Sequence, residues 1–115
     1  MDSEIHDIHT ANYKALPKEL RKELYDFLHR EFPPVFFEGI RLGHMIYGKD
    51  WWRQDEPSFN MKEGLACRTA FRKAGYLDYD LPCGNWDAVY IPVLEAATDL
   101  RPIIFPDELK KQDSN

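Results

Sequence analysis

The sequence lacks the features that mark membrane and secreted proteins. It contains no apolar run of about 18 residues, the length that a membrane-spanning helix requires. Its first residues, Met1-Asp2-Ser3-Glu4, are acidic and polar, whereas a secretion signal begins with positive charge and continues with an apolar stretch. We therefore expect a cytoplasmic protein with no membrane partner.

Cysteine and glycine are both scarce. The two cysteines, Cys67 and Cys83, are too few for a disulfide framework, and we expect reduced thiols. Neither cysteine lies in a local signature of a nucleophile. Gly39 and Gly43 fall inside an apolar run rather than between a strand and a helix, so no phosphate-binding loop is present. These absences predict no cofactor.

Metal-ligating and catalytic patterns are also weak. His6-Asp7-Ile8-His9 offers two imidazoles and a carboxylate, but a transition metal needs further ligands, and no other histidine or cysteine has a supporting spacing. Asp78 and Asp80 share one face of a predicted strand, as solvent-exposed carboxylates do. The sequence therefore predicts neither a metal site nor catalytic residues, and we expect a protein that is not an enzyme.

The size and the composition predict a single folded domain. The chain has 115 residues, of which 43% are hydrophobic and 14% aromatic, enough to form a core without disulfides or metals. We predict one compact domain over residues 1–105 and a polar C-terminal tail over residues 106–115.

Three segments show the periodicity of helices. Residues 17–31 place leucine and phenylalanine on one face and end before two prolines. Residues 35–47 are apolar nearly all round, which predicts a second helix buried on more than one side. Residues 61–74 form a third helix, which begins with the capping pair Asn60 and Glu63.

The C-terminal third carries the pattern of a β-hairpin over residues 76–91. Residues 77–81 alternate between apolar and acidic side chains, and residues 82–85 have turn composition. In the return strand, Val89 and Ile91 alternate with Ala88 and Tyr90. A short helix is predicted over residues 93–100. The expected fold class is α+β and mainly helical, with three helices followed by a β-hairpin. This order of elements resembles that of winged helix-turn-helix domains over residues 17–92, and the resemblance implies a third helix that reads DNA and a hairpin wing.

Basic charge is concentrated in the middle of the chain. Residues 41–75 carry 7 basic and 4 acidic side chains, although the whole chain has a net charge of −5. Basic groups beside large aromatic rings suit a surface that binds nucleic acid or an acidic partner. Our first hypothesis is a non-enzymatic binding module for DNA or for a nucleic-acid-handling protein complex. The residues predicted to bind are Trp51, Trp52, Arg53, Lys62, Arg68, Arg72 and Lys73.

The two tryptophans have two open assignments. If residues 49–59 form an extended loop, adjacent side chains point to opposite sides, so one tryptophan packs in the core and the other is exposed. Alternatively, both pin the loop to the core.

The acidic C-terminal third supports an alternative function. Residues 76–115 carry 8 acidic and 3 basic side chains, and an acidic surface can imitate the phosphate backbone of DNA. Small phage-type anti-defence inhibitors occupy the basic groove of a host protein complex on this principle. The residues of this alternative surface are Asp78, Asp80, Asp87, Glu95 and Asp99. A third hypothesis is a homodimer that pairs through the apolar second helix or the aromatic loop.

Overall fold

The computed structural model describes residues 2–53 and 62–108. Within these two ranges the regular structure is helical. The α-helices are α1 (Asp2–Lys14), α2 (Lys18–Glu31), α3 (Pro34–Tyr47), α4 (Glu63–Lys73) and α5 (Tyr90–Ala97). Short 3₁₀ helices span Gly48–Arg53, Asp78–Asp80 and Trp86–Ala88. In the described part of the chain, no helix is long and apolar enough to cross a membrane.

Helices α2, α3 and α4 confirm the three helices predicted from periodicity. In α2 the predicted apolar face is buried, with Leu24 and Leu28 fully inaccessible. Helix α3 ends where Gly48 adopts a φ of 63°, a left-handed conformation that glycine takes without strain. The predicted capping residue of the third helix, Asn60, lies outside the described residues.

Helix α3 is buried on one side only, so the prediction of burial on several sides is wrong. Phe37 and Ile40 face the core. On the opposite face, spaced as one helical stripe, four large apolar side chains are exposed: Val35, Leu42, Met45 and Ile46. Helix α3 therefore carries more large apolar side chains than it buries in the core of the protein.

The predicted β-hairpin over residues 76–91 is wrong, and with it the α+β, winged-helix-like fold class. No strand occurs among residues 2–53 and 62–108, and the segment contains two 3₁₀ helices and the start of α5. The alternation at residues 77–81 does not mark a buried face, because Leu77 and Tyr79 are both exposed. Local bonds hold turns instead: the Asp78 carboxylate accepts from the Trp86 N–H at 2.9 Å, and the Asn85 side chain accepts from the Asp87 N–H at 2.9 Å.

Helix α5 forms the centre of the fold. All eight of its residues are buried, and it contacts α1, α2, α3 and α4. Pro92 lies in its first turn, where a missing N–H leaves no helical hydrogen bond unmade. The predicted helix over 93–100 thus begins three residues earlier, at Tyr90, and ends at Ala97.

The segment after α5 returns to the core. Ile103 and Phe105 pack against buried side chains. Glu108, in the stretch predicted to be a polar tail, accepts a hydrogen bond from Arg21 Nη1 at 3.0 Å. Residues 109–115 lie outside the described residues.

Candidate partner-binding groove

Two arginines of the predicted basic surface form ion pairs within the chain. Arg72 binds Asp78 through two hydrogen bonds, Nε to Oδ1 at 2.8 Å and Nη2 to Oδ2 at 3.0 Å. Arg68 Nη1 donates to Asp87 Oδ1 at 3.0 Å. Asp78 and Asp87 were predicted to belong to the alternative acidic surface. The structure thus pairs two residues of the predicted acidic surface with two of the predicted basic surface, and the charges of these four side chains offset one another.

The Arg72–Asp78 pair is held in its ionised form. The hydrogen bonds from Arg72 and from the Trp86 backbone lower the pKa of Asp78 to about 2. Arg68 makes a further contact, with its guanidinium 4.4 Å from the centre of the Tyr90 ring. Both arginines therefore attach the turns of residues 78–88 to α4.

Both tryptophans belong to the core. Trp51 is fully inaccessible and Trp52 is 8% exposed, so neither offers a face on which a base could stack. The Trp51 indole N–H donates to Glu95 at 3.2 Å. Arg53 is exposed and lies over the Trp52 ring, 5.8 Å from its centre. The 3₁₀ helix Gly48–Arg53 turns the two rings inward together, whereas an extended loop would have separated them.

The predicted acidic surface is not one surface. Glu95 is 2% exposed and points into the core, while Asp80 is exposed. Asp99 accepts a hydrogen bond from the Tyr25 hydroxyl at 3.0 Å and lies 3.8 Å from Arg41. Of the five predicted carboxylates, Asp80 alone has no hydrogen bond or ion pair to a described side chain.

Glu95 is the centre of a buried polar network. Its carboxylate accepts two hydrogen bonds from Arg101, at 2.8 and 3.0 Å, and one from Trp51. The Nε2 atoms of His6 and His44 lie 3.1 and 3.4 Å from Oε2. Burial by itself would raise the pKa of Glu95, but the His6 hydrogen bond and the Arg101 charge outweigh it, so the pKa lies below the usual value.

Sequence reasoning missed the partners of Glu95. One signal was available, since Glu95 is the one charged residue in the run 88–97, and a buried charge requires partners. His6 is 89 positions away, however, and no local pattern connects the two residues. No set of three or more His, Cys, Asp or Glu side chains in the described ranges could hold a metal ion.

Lys62 and Lys73 lie in a different setting, a groove between α2 and α4. Both helices pack on α5. They run antiparallel, because Phe27 of α2 contacts Phe71 and Tyr76, while the Tyr76 hydroxyl donates to Glu23 one turn earlier in α2. Along α4, from Lys62 to Ala74, the two helices line an open groove of about 680 Å³.

The groove has an apolar floor and charged ends. Its walls are Phe27, Glu31 and Phe32 on the α2 side and Lys62, Leu65, Ala66, Thr69, Ala70, Lys73 and Ala74 on the α4 side. Lys62 and Lys73 are exposed, and neither forms an ion pair with a residue in the described ranges. Of the basic residues predicted to bind, these two line a concave and largely apolar surface without an ion pair to any described residue.

Comparisons with known proteins add no assignment. No protein-family model, no curated protein and no solved structure matches the chain.

Proposed function

We propose that the protein is a non-enzymatic binding module that holds an apolar segment of a partner protein in the groove between α2 and α4. The observation that carries this proposal is the 680 Å³ cavity with an apolar floor and a lysine at each end. Ligand sites have volumes of roughly 300–1,000 Å³ and combine apolar walls with a few polar groups. Helix-in-groove recognition uses the same combination.

The charge distribution favours a protein partner over DNA. Affinity for DNA comes mainly from basic groups that neutralise phosphates. Arg68 and Arg72 already pair with carboxylates at 3.0 Å or less, and the chain carries a net charge of −5. The first hypothesis from the sequence named either DNA or a nucleic-acid-handling protein as the partner. We retain the protein partner, and binding to DNA is the competing outcome of the test.

A selection from random peptides tests the groove while the partner is unidentified. Peptides are selected on the purified protein and then measured against Thr69→Trp, in which an indole fills the groove from an exposed position. The matched control is Ala11→Trp, an exposed position on α1. We expect Thr69→Trp to weaken binding by about tenfold or more, which is about 1.4 kcal/mol, and Ala11→Trp to leave it unchanged.

Two results would contradict the proposal. In the first, selected peptides bind Thr69→Trp as well as the parent and perturb NMR resonances outside α2 and α4. In the second, labelled duplex DNA binds tightly in an anisotropy titration, with a steep salt dependence that Lys62 and Lys73 control.

A further inference from the structure

We infer that the groove recognises an acidic amphipathic helix, with one carboxylate at Lys62 and another at Lys73. This inference rests on the proposed function and adds the chemistry of the partner.

The lysines are spaced for a helical ligand. Lys62 immediately precedes α4 and Lys73 is its last residue, so eleven positions separate them. At 1.5 Å per residue their backbones are roughly 16 Å apart, which is three helical turns. A helix lying along α4 therefore offers carboxylates at the same separation when they are eleven residues apart.

The lysines are also available, unlike the two arginines of α4. Arg68 and Arg72 are bound to Asp87 and Asp78, whereas Lys62 and Lys73 have no such pair within the described ranges. Both lysines line the cavity, and the two arginines do not. An incoming carboxylate can thus pair with either lysine without breaking an existing ion pair.

The walls favour a helix over an extended segment. Both walls are α-helices, whose backbone groups are already hydrogen-bonded, so the groove offers no strand edge to an extended peptide. Between the lysines the α4 wall carries Leu65 beside the smaller side chains Ala66, Thr69 and Ala70, while Phe27 and Phe32 line the α2 side. These mostly apolar side chains suit the apolar face of a helix.

Glu31 determines on which flank of the ligand helix the acidic residues can lie. It lines the groove on α2, and the antiparallel packing places it toward the Lys62 end. A carboxylate on the α2 side of the ligand would meet Glu31 and be repelled. The acidic positions of the ligand therefore belong on its α4 side, and charge-neutral or basic positions belong on its α2 side.

A pair of designed peptides tests this chemistry. Both form an amphipathic helix of about 16 residues with the same apolar face. One carries two glutamates eleven positions apart on one flank, and the other carries glutamine at both sites. Binding is measured by anisotropy, and the site is located by NMR. Because two ion pairs at exposed positions each add modestly to affinity, we expect the glutamate peptide to bind about five- to tenfold more tightly.

Variants of the protein assign that preference to the lysines. In Lys62→Gln/Lys73→Gln we expect the two peptides to bind equally, and in Lys62→Glu/Lys73→Glu we expect a lysine-bearing peptide to bind best. The control is Lys22→Gln/Arg30→Gln, which removes two exposed charges from α2 outside the groove lining. It should retain the preference for glutamate.

The possible failures can be told apart. If both peptides bind in the groove with equal affinity, or if the preference survives loss of both lysines, the acidic-helix inference is wrong and the binding module stands. If neither peptide and no library peptide shifts resonances of α2 and α4, the proposed function itself fails.

Discussion

The Glu95 network and the α2–α4 groove differ in whether their charged side chains are buried and paired. Around Glu95, three basic side chains, His6, His44 and Arg101, lie within 3.4 Å of one buried carboxylate. In the groove, Lys62 and Lys73 stand at the surface without an ion pair in the described ranges. A buried charge is costly unless it is paired, whereas an exposed charge is stable by itself. The first arrangement therefore stabilises a buried carboxylate, and under the proposed function the second leaves two lysines available to a partner.

Helix α4 contains both kinds of charge. Arg72 binds Asp78 through two parallel hydrogen bonds, a geometry that the planar guanidinium favours and an ammonium group cannot match. Lys62 and Lys73, near the two ends of the helix, remain unpaired among the described residues. The basic side chains of this one helix are thus divided between holding the turns of residues 78–88 and facing the groove.

The largest effect should come from breaking the buried network. Glu95→Gln leaves Arg101 and His6 beside a neutral amide, and loss of one partner of a buried ion pair costs about 3 kcal/mol or more. The free energy of unfolding, measured in urea, should fall by that amount.

The matched control is Glu38→Gln. Glu38 lies 3.4 Å from Arg41 at an exposed position of α3, and such pairs contribute about 0.2–1 kcal/mol. Equal losses in the two variants would show that Glu95 does not organise the core.

The next effect concerns a buried histidine that has no carboxylate within hydrogen-bond distance among the described residues. His9 contacts Trp52 and Tyr90, and burial together with the nearby His6 lowers its pKa to about 4. As the pH falls from 6.5 to 4, His9 becomes protonated in the unfolded chain, whereas in the folded chain it stays mostly neutral until the pH approaches 4. The stability should therefore fall by about 3 kcal/mol over this range.

His9→Phe keeps an aromatic ring against Trp52 and Tyr90 and removes the proton site. We expect unfolding in urea at pH 6.5 and pH 4 to show a smaller loss of stability in this variant than in the parent. The loss that remains belongs to carboxylates with lowered pKa, such as Glu95, whose stabilisation begins to disappear as the pH falls below about 4.5. Asp78 adds little above pH 4, because its pKa is lowered from 3.8 to about 2. An unchanged loss in His9→Phe would exclude His9 as its source.

Periodicity predicted the helices but not the C-terminal third. Helices α2, α3 and α4 follow from local patterns of apolar residues. The alternation at residues 77–81 has the period of a strand, but Asp78 is bonded to Arg72 and to the Trp86 backbone, and these contacts fix turns. Such contacts outweigh local propensity, and a single sequence does not display them.

The candidate site was predictable only in part. Lys62 and Lys73 were among the predicted binding residues because basic charge is concentrated in the middle of the chain. That pattern could not separate them from Arg68 and Arg72, because Asp78 and Asp87, the partners of the arginines, follow 6 and 19 positions later in a segment predicted to be a hairpin. The groove itself depends on how α2 and α4 pack on α5.

A smaller effect should follow from breaking the half-exposed pair at α4. Arg72→Ala removes the bidentate contact and should cost about 1 kcal/mol in the free energy of unfolding. Asp78→Ala should cost about 2 kcal/mol, because the Trp86 N–H loses its acceptor as well. A double-mutant cycle measured in urea checks the coupling, and additive losses would contradict a direct pair.

The smallest effect on stability should come from the groove lysines. Lys62→Gln/Lys73→Gln removes two exposed charges that pair with no residue in the described ranges, and we expect the free energy of unfolding to change by about 0.5 kcal/mol or less. Arg68→Gln/Arg72→Gln removes the same amount of charge but breaks the ion pairs with Asp78 and Asp87. The arginine variant should therefore destabilise the fold and keep the preference for the glutamate peptide. The lysine variant should leave the stability nearly unchanged and lose that preference. If the two double variants behave alike in urea unfolding and in peptide binding, the arginines and the lysines do not have separate roles in stability and in binding.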